Sequence, residues 1–220
     1  MQKIKRIIKI GGSIFTDKNL NVVIEPEDAN FGQFFNSEQL QSKFELLSKL
    51  NYLDESSIIV FGAGLYGHGL AKLHGLRSDK FVVADEFVVK KINQNLKLLF
   101  DELLKPVLTK FVSVDVKTIL PKLIHQADNV NLVRICSGDE VVANLAKEFE
   151  PEKLIYCSDV PGVKLKNGWI SKFSVGELPR ILNEMDNLTE SRTDVTGEMK
   201  NKLKQILDIK ANSDLTIEFL

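Results

Sequence analysis

The chain lacks the apolar run of roughly 18 to 20 residues that a membrane-spanning helix needs. It also lacks net charge of either sign: the formal balance is −1, so no basic field argues for nucleic acid or an anionic membrane as partner. Cysteine is nearly absent. Cys136 and Cys157 stand far apart, each at the end of an apolar run, which excludes a Cys-x-x-Cys metal or redox site and reads as two small buried hydrophobes. There is no Gly-x-x-x-x-Gly-Lys-Ser/Thr loop, no Gly-x-Ser-x-Gly elbow and no cluster of metal-ligand spacing. The amino terminus, MQKIKRIIKIGGS, interleaves basic residues with isoleucines as a strand does. It lacks the continuous apolar stretch of a signal peptide, so a cytoplasmic protein is expected.

What is present is an alternation of strand and helix patterns over 220 residues. Buried strands are expected at Lys5 to Ile10, Ser57 to Phe61, Val130 to Cys136 and Lys153 to Cys157, with a last one from Leu215 to Phe219. Helical spacing follows Ser37, read as an N-cap, through Leu40, Phe44 and Leu47, and recurs from Asp85 to Leu104 through Val88, Ile92, Leu96, Leu99 and Leu103. Phe111 to Val114 reads as extended, and Asp115 as the cap of a helix carrying Ile119, Leu123 and Ile124. Further helices are expected from Glu140 to Phe149, from Val175 to Met185 with Pro179 in the first turn, and in the lysine-rich stretch after Gly197. Such alternation implies a mainly parallel sheet covered by helices on both faces.

In such sheets ligands bind where strands run into helices. Unusual chemistry stands at Lys9-Ile10-Gly11-Gly12-Ser13, at Gly62-Ala63-Gly64-x-x-Gly67-His68, at Ser137-Gly138-Asp139 and at Ser158-Asp159-Val160. Parallel strands would bring all these loops to one edge. Glycine at a strand-to-helix turn lets backbone N–H groups point at an anion, with the helix dipole in support. Each residue has a plainer reading. Lys9, among isoleucines, needs an anion partner if its strand is central and points into solvent if it lies at an edge. Asp139 either orients a lysine or caps the next helix. His68 either bonds a phosphate or sits on the surface, and Trp169 reads as a packing residue. The Gly62 turn also has dinucleotide spacing, with Asp85 at about the distance of a ribose-binding carboxylate. That alternative, an oxidoreductase, leaves the Gly11-Gly12 turn unexplained. Two facing anion turns with lysines suit phosphoryl transfer, which needs positioning and charge neutralisation more than a covalent nucleophile.

Taken together, Lys9-x-Gly11-Gly12-Ser13 with Thr16-Asp17-Lys18, Gly62-x-Gly64-x-x-Gly67-His68, Ser137-Gly138-Asp139, Ser158-Asp159-Val160-x-Gly162 and Thr196-Gly197-x-Met199-x-x-Lys202 resemble, in order, the motifs of the amino acid kinase superfamily, and within it the isopentenyl phosphate kinases. The resemblance implies a three-layer αβα sandwich with a mainly parallel central sheet, usually a homodimer. It divides the domain into an acceptor half at about 1–135 and a nucleotide half at about 136–220. ATP with Mg²⁺ and a small phosphorylated acceptor are implied as ligands. Lys9 and Lys202 would hold the transferring group, with Lys18 assisting, and Asp139 would keep the lysines in place. Gly62, Ala63, Gly64, Gly67 and His68 would line the acceptor side. Gly11, Gly12, Ser13, Ser158, Asp159, Gly162, Gly197 and Lys202 would line the nucleotide side. Phe61, Leu65, Tyr66 and Glu198 depart from the family pattern, and the stretch between His68 and Ser137 is short. These departures leave open another phosphate, phosphonate or amino acid-like acceptor, or a module that binds nucleotide without turnover.

Overall fold

The computed structural model describes residues 3–16, 35–120, 122–126, 129–186, 195–207 and 214–220. In chain order the strands and helices are β1 (Arg6–Ile10), α1 (Ser37–Lys49), β2 (Ser57–Phe61), α2 (Gly64–Leu73), β3 (Val82–Val83), α3 (Glu86–Leu99), α4 (Lys105–Leu108), β4 (Lys117–Ile119), β5 (Lys122–Gln126), β6 (Asn129–Cys136), α5 (Gly138–Phe149), β7 (Lys153–Cys157), β8 (Val163–Leu165), β9 (Gly168–Ile170), β10 (Lys172–Ser174), α6 (Leu178–Asp186), α7 (Val195–Leu207) and β11 (Thr216–Phe219). The central sheet runs β10-β11-β7-β1-β2-β4, parallel except for β10. A separate antiparallel sheet has the order β3-β6-β5, and β8 and β9 form a hairpin.

The alternation of side chains along the strands builds the three layers. Ile8 and Ile10 of β1, with their register partners Ile59, Phe61, Ile155 and Cys157, face α1, α3 and α4. Ile7, Ile58, Leu154 and Ile217 face the opposite way, against α5, α6 and α7. The next residue row on that second face is Val60, Lys9, Tyr156 and Phe219, so a lysine stands where the pattern calls for a hydrophobe. Cys136 and Cys157 are free and buried. Burial pushes the Cys157 thiol up to about 12, as befits a packing residue.

Several expectations are corrected. Asn36, not Ser37, caps α1, its side chain accepting from the N–H groups of Glu38 and Gln39. Val116 to Ile119 is too rich in β-branched residues for the expected helix after Asp115: Lys117–Ile119 pairs with β2, and Leu123 and Ile124 lie in β5, while Phe111 to Val114 belongs to no strand. The long helix opening behind Asp85 widens into a π-helical turn at Phe100–Leu104 before α4, where Pro106 removes a backbone donor. Trp169 is 46% exposed on the β8–β9 hairpin rather than packed inside. Among the described residues, no helix is long and apolar enough to cross a membrane.

The amino edge of the sheet is held by polar groups. Arg6 donates to both carboxylate oxygens of Asp54 and to Ser56, and its guanidinium lies 5.3 Å from the centroid of Tyr52. On the Asp54 carboxyl, burial pulls upward, but the hydrogen bonds from Ser56 and Arg6 outweigh it and leave the group below its usual 3.8. A depressed carboxyl stabilises the fold above its unfolded value and loses that contribution as pH falls through its folded value. Replacing Asp54 with Asn should lower the melting temperature by a few degrees at neutral pH. The gap to wild type should close as the pH falls below 3.8, which thermal melts across an acid series will show.

Candidate functional site

β7, β1 and β2 lie side by side and parallel, so the turns that leave them meet at the carboxyl edge. Gly11 follows β1 and donates its N–H to the Cys157 carbonyl at 2.8 Å, while Gly62 donates to Ile10 at 2.8 Å. The two glycine turns touch through their backbones: a Cβ added to Gly12 would fall 2.3 Å from the Gly64 Cα. Gly64 itself has φ of +60°, a region that L side chains rarely occupy. Thr16 stitches the turns together, its hydroxyl donating to the Gly12 carbonyl at 2.8 Å and accepting from the Leu65 N–H at 3.0 Å. Sequence reading saw Thr16 only as a motif letter, because nothing local shows which chain segment its hydroxyl will meet.

Lys9 settles the question of its strand: β1 is flanked on both sides, and the lysine is not on an edge. Its Nζ donates to Asp139 Oδ1 at 2.6 Å, with side chains only 13% and 26% exposed. Burying an ammonium at this depth requires such a partner. Asp139 is therefore the lysine-orienting residue of the two expectations, and the cap of α5 is Ser137, whose Oγ accepts from the Glu140 N–H at 3.2 Å. Gly138 brings the start of α5 so close that an added Cβ would lie 3.2 Å from Lys9 Cε. The loop carrying Asp139 leaves β6, which belongs to the small antiparallel sheet and not to the parallel one, so only three of the four expected loops share the central edge. A bidentate pair between Arg134 of β6 and Glu140 of α5, at 2.7 and 2.6 Å, fixes this loop and holds the Arg134 guanidinium above its ordinary value.

A cavity of about 450 Å³ opens beside the pair. It is lined by Lys9, Gly12, Gly62, Gly64, Gly138 and Asp139, and by the apolar Leu76, Ile92, Leu96, Leu123 and Ile135. Ala63, Gly67 and His68 also line it, His68 being exposed on α2. Arg77 and Asp79 complete the wall, and the guanidinium hydrogen bonds hold the Asp79 carboxyl at about 2. The helical spacing of Ile92 and Leu96 was legible as an apolar face, but not that part of this face lines a cavity.

The residues expected on the nucleotide side gather one strand away. Ser13 Oγ donates to Asp159 Oδ1 at 2.9 Å, tying the β1 turn to the β7 turn, and Ser158 Oγ donates to the Val160 carbonyl. Gly162 leads into β8. Gly197 lies in the first turn of α7, and Lys202 of the same helix places its Nζ 5.2 Å from the centroid of Tyr156. Lys200 is ion-paired with Asp186. Lys18 falls outside the described residues. The dinucleotide alternative does not fit: Asp85 caps α3 by accepting from the Phe87 N–H, and the short strand before it pairs antiparallel to β6 in the other sheet.

Comparison with known proteins places this architecture. Residues 84–219 match the amino acid kinase family. The isopentenyl phosphate kinase of Methanocaldococcus jannaschii is 26% identical over 241 aligned positions, covering 91% of this chain and 85% of the relative. That of Thermoplasma acidophilum is 22% identical, covering 94% and 87%. Among solved structures, a product complex of the T. acidophilum isopentenyl phosphate kinase superposes with a TM-score of 0.64 at 15% identity, over 98% of this chain and 90% of the other. An isopentenyl phosphate kinase substrate complex gives 0.58 at 15% identity, with the same coverage. At such identities the superpositions speak for the fold alone. With the matched family pattern spanning more than half of its length, the chain belongs to the amino acid kinase family and is a small-molecule kinase.

Proposed function

We propose that the protein transfers the terminal phosphoryl group of ATP to a small phosphorylated acceptor with a short apolar body, isopentenyl phosphate being the first candidate. The observation that carries this reading is the cavity itself: a buried ammonium and two glycine turns share its lining with leucine and isoleucine side chains. A phosphate monoester with a hydrocarbon tail has the matching polarity. The names of the relatives point to the same acceptor.

In this reading an oxygen of the acceptor phosphate attacks the γ-phosphorus of ATP, the bond from that phosphorus to the bridging oxygen breaks, and ADP leaves with the electron pair. The second pKa of a phosphate monoester is about 6, so the attacking oxygen is already deprotonated at neutral pH and no general base is needed. The obstacle is repulsion between anions, which cationic side chains and oriented N–H groups relieve. Lys9 and Lys202 hold the transferring group, with Lys18 assisting. Asp139 aims Lys9, and His68 donates to the acceptor phosphate beside Gly62, Ala63, Gly64 and Gly67. Gly11, Gly12, Ser13, Ser158, Asp159, Gly162 and Gly197 border the nucleotide. This division assigns the acceptor to about 1–135 and the nucleotide to about 136–220. In this reading Mg²⁺ would be carried by the oxygens of the nucleotide and would neutralise part of their charge. The family resemblance adds a cytoplasmic homodimer, which light scattering and cell fractionation will check.

The deciding experiment is ADP release from Mg²⁺-ATP against small phosphates, phosphonates, alcohols and amino acids. Turnover with isopentenyl phosphate is expected. Turnover only with a non-phosphorylated acceptor would overturn the acceptor assignment, and nucleotide binding without product would make the protein a binding module. Lys9→Ala should lower kcat by about 10²- to 10³-fold, since one charge-stabilising donor is lost, while the protein still folds, with a melting temperature lowered by the unpaired Asp139. Asp139→Asn should keep ATP binding and cost about 10²-fold in kcat through misplacement of Lys9. Unchanged kcat in either variant would remove that residue from the mechanism.

A further inference from the structure

Tyr156 is buried in β7, where it is the register partner of Lys9 on one side and of Phe219 on the other. Register partners in a parallel pair project to the same face, so the tyrosine ring and the Lys9 side chain leave the sheet together, toward α5 and α7. The ring stacks on Phe219 at 5.4 Å and 21°, and Phe219 stacks on Phe173 at 6.2 Å and 28°. Three rings on three neighbouring strands thus fix the plane of the tyrosine. Above it lies the Lys202 ammonium, 5.2 Å from the centroid. The negative face of an aromatic ring attracts a cation at this range, most strongly where water is excluded. Lysine has a long stem with much rotamer freedom, so an ammonium that must meet a phosphoryl group gains from a fixed platform. A leucine in the same place would pack equally well and attract nothing.

We propose that Tyr156 is a positioning residue for phosphoryl transfer: its clamped ring holds the Lys202 ammonium at the carboxyl edge, one strand from the Lys9–Asp139 pair. The inference rests on the reading of Lys202 as a phosphate-holding lysine. The ring keeps this character at working pH, because burial, and after it the negative charge of Asp139, pushes the phenol well above its ordinary value.

The test is a double-mutant cycle with a spectroscopic arm. Tyr156→Leu should lower kcat by about tenfold, the scale of one desolvated cation–ring contact. The KM for the acceptor should change by less than about twofold, as for an interaction used in the transition state. Tyr156→Phe, which keeps the ring, should restore most of the loss. In a Lys202→Ala background, Tyr156→Leu should cost no further kcat. Wild-type kcat in Tyr156→Leu, or the same loss with and without Lys202, would overturn the proposal and leave the ring a packing residue. Independently of turnover, reductive ¹³C-methylation should give Lys202 a ring-current-shifted methyl signal, identified by its loss in Lys202→Ala. The shift should persist in Tyr156→Phe and vanish in Tyr156→Leu; no shifted signal in the wild type would also overturn the placement. Absence of ADP release by the wild-type protein with every acceptor would defeat the kinase reading, while the methyl signal would still decide whether Tyr156 holds Lys202.

Discussion

An ammonium in the next-to-last residue row of a central strand is the constraint around which this molecule is arranged. Lys9 stands among Val60, Tyr156 and Phe219, in a position that the sheet would otherwise give to a hydrophobe. Burial of that charge is tolerable only with a close counter-ion, and the counter-ion comes from outside the sheet, on the first turn of α5. For the carboxylate to arrive there, Gly138 must lie against the lysine stem, Ser137 must cap the helix, and β6 must be fixed by the Arg134–Glu140 pair. The lysine is thereby paired before any ligand enters. Electrostatic preorganisation of this kind is what phosphoryl transfer asks of a protein.

The two edges of the sheet divide the labour. At the amino edge, Arg6, Asp54, Tyr52 and Lys153 form a closed set of hydrogen bonds and ring contacts that leaves little to offer a ligand. At the carboxyl edge the glycine turns touch through their backbones, beside a cavity lined by the Lys9–Asp139 pair and by leucine and isoleucine side chains.

Much of this was legible in the sequence. The parallel strands announced themselves through runs such as Ile58 to Phe61, and the glycine turns through their place directly behind them. Lys9 was conspicuous because it broke an isoleucine run. The region from Phe111 to Gln126 was not legible, since short strands and a short apolar helix share the same residues, and only the pairing of β4 with β2 and of β5 with β6 decides between them. The partner of Lys9 was ambiguous for a similar reason: an aspartate at a helix start is equally good as a cap, and the competing Ser137 hydroxyl took that task. Tyr156 gave no signal at all, being one apolar letter in a buried strand until Lys202 is seen above its ring.

The small antiparallel sheet has a consequence for how the protein could diversify. Leu123 of β5 and Ile135 of β6 contribute to the apolar lining beside Leu76, Ile92 and Leu96, yet they lie outside the parallel sheet. The ladder between β5 and β6 already shifts register between His125 and Gln126. That part of the lining is thus carried on a small sheet whose ladder is separate from the one that holds Lys9. Re-registering β5 against β6 would reshape the space around Leu123 while β6 still delivers Asp139 to Lys9, so selectivity and chemistry can drift apart under mutation.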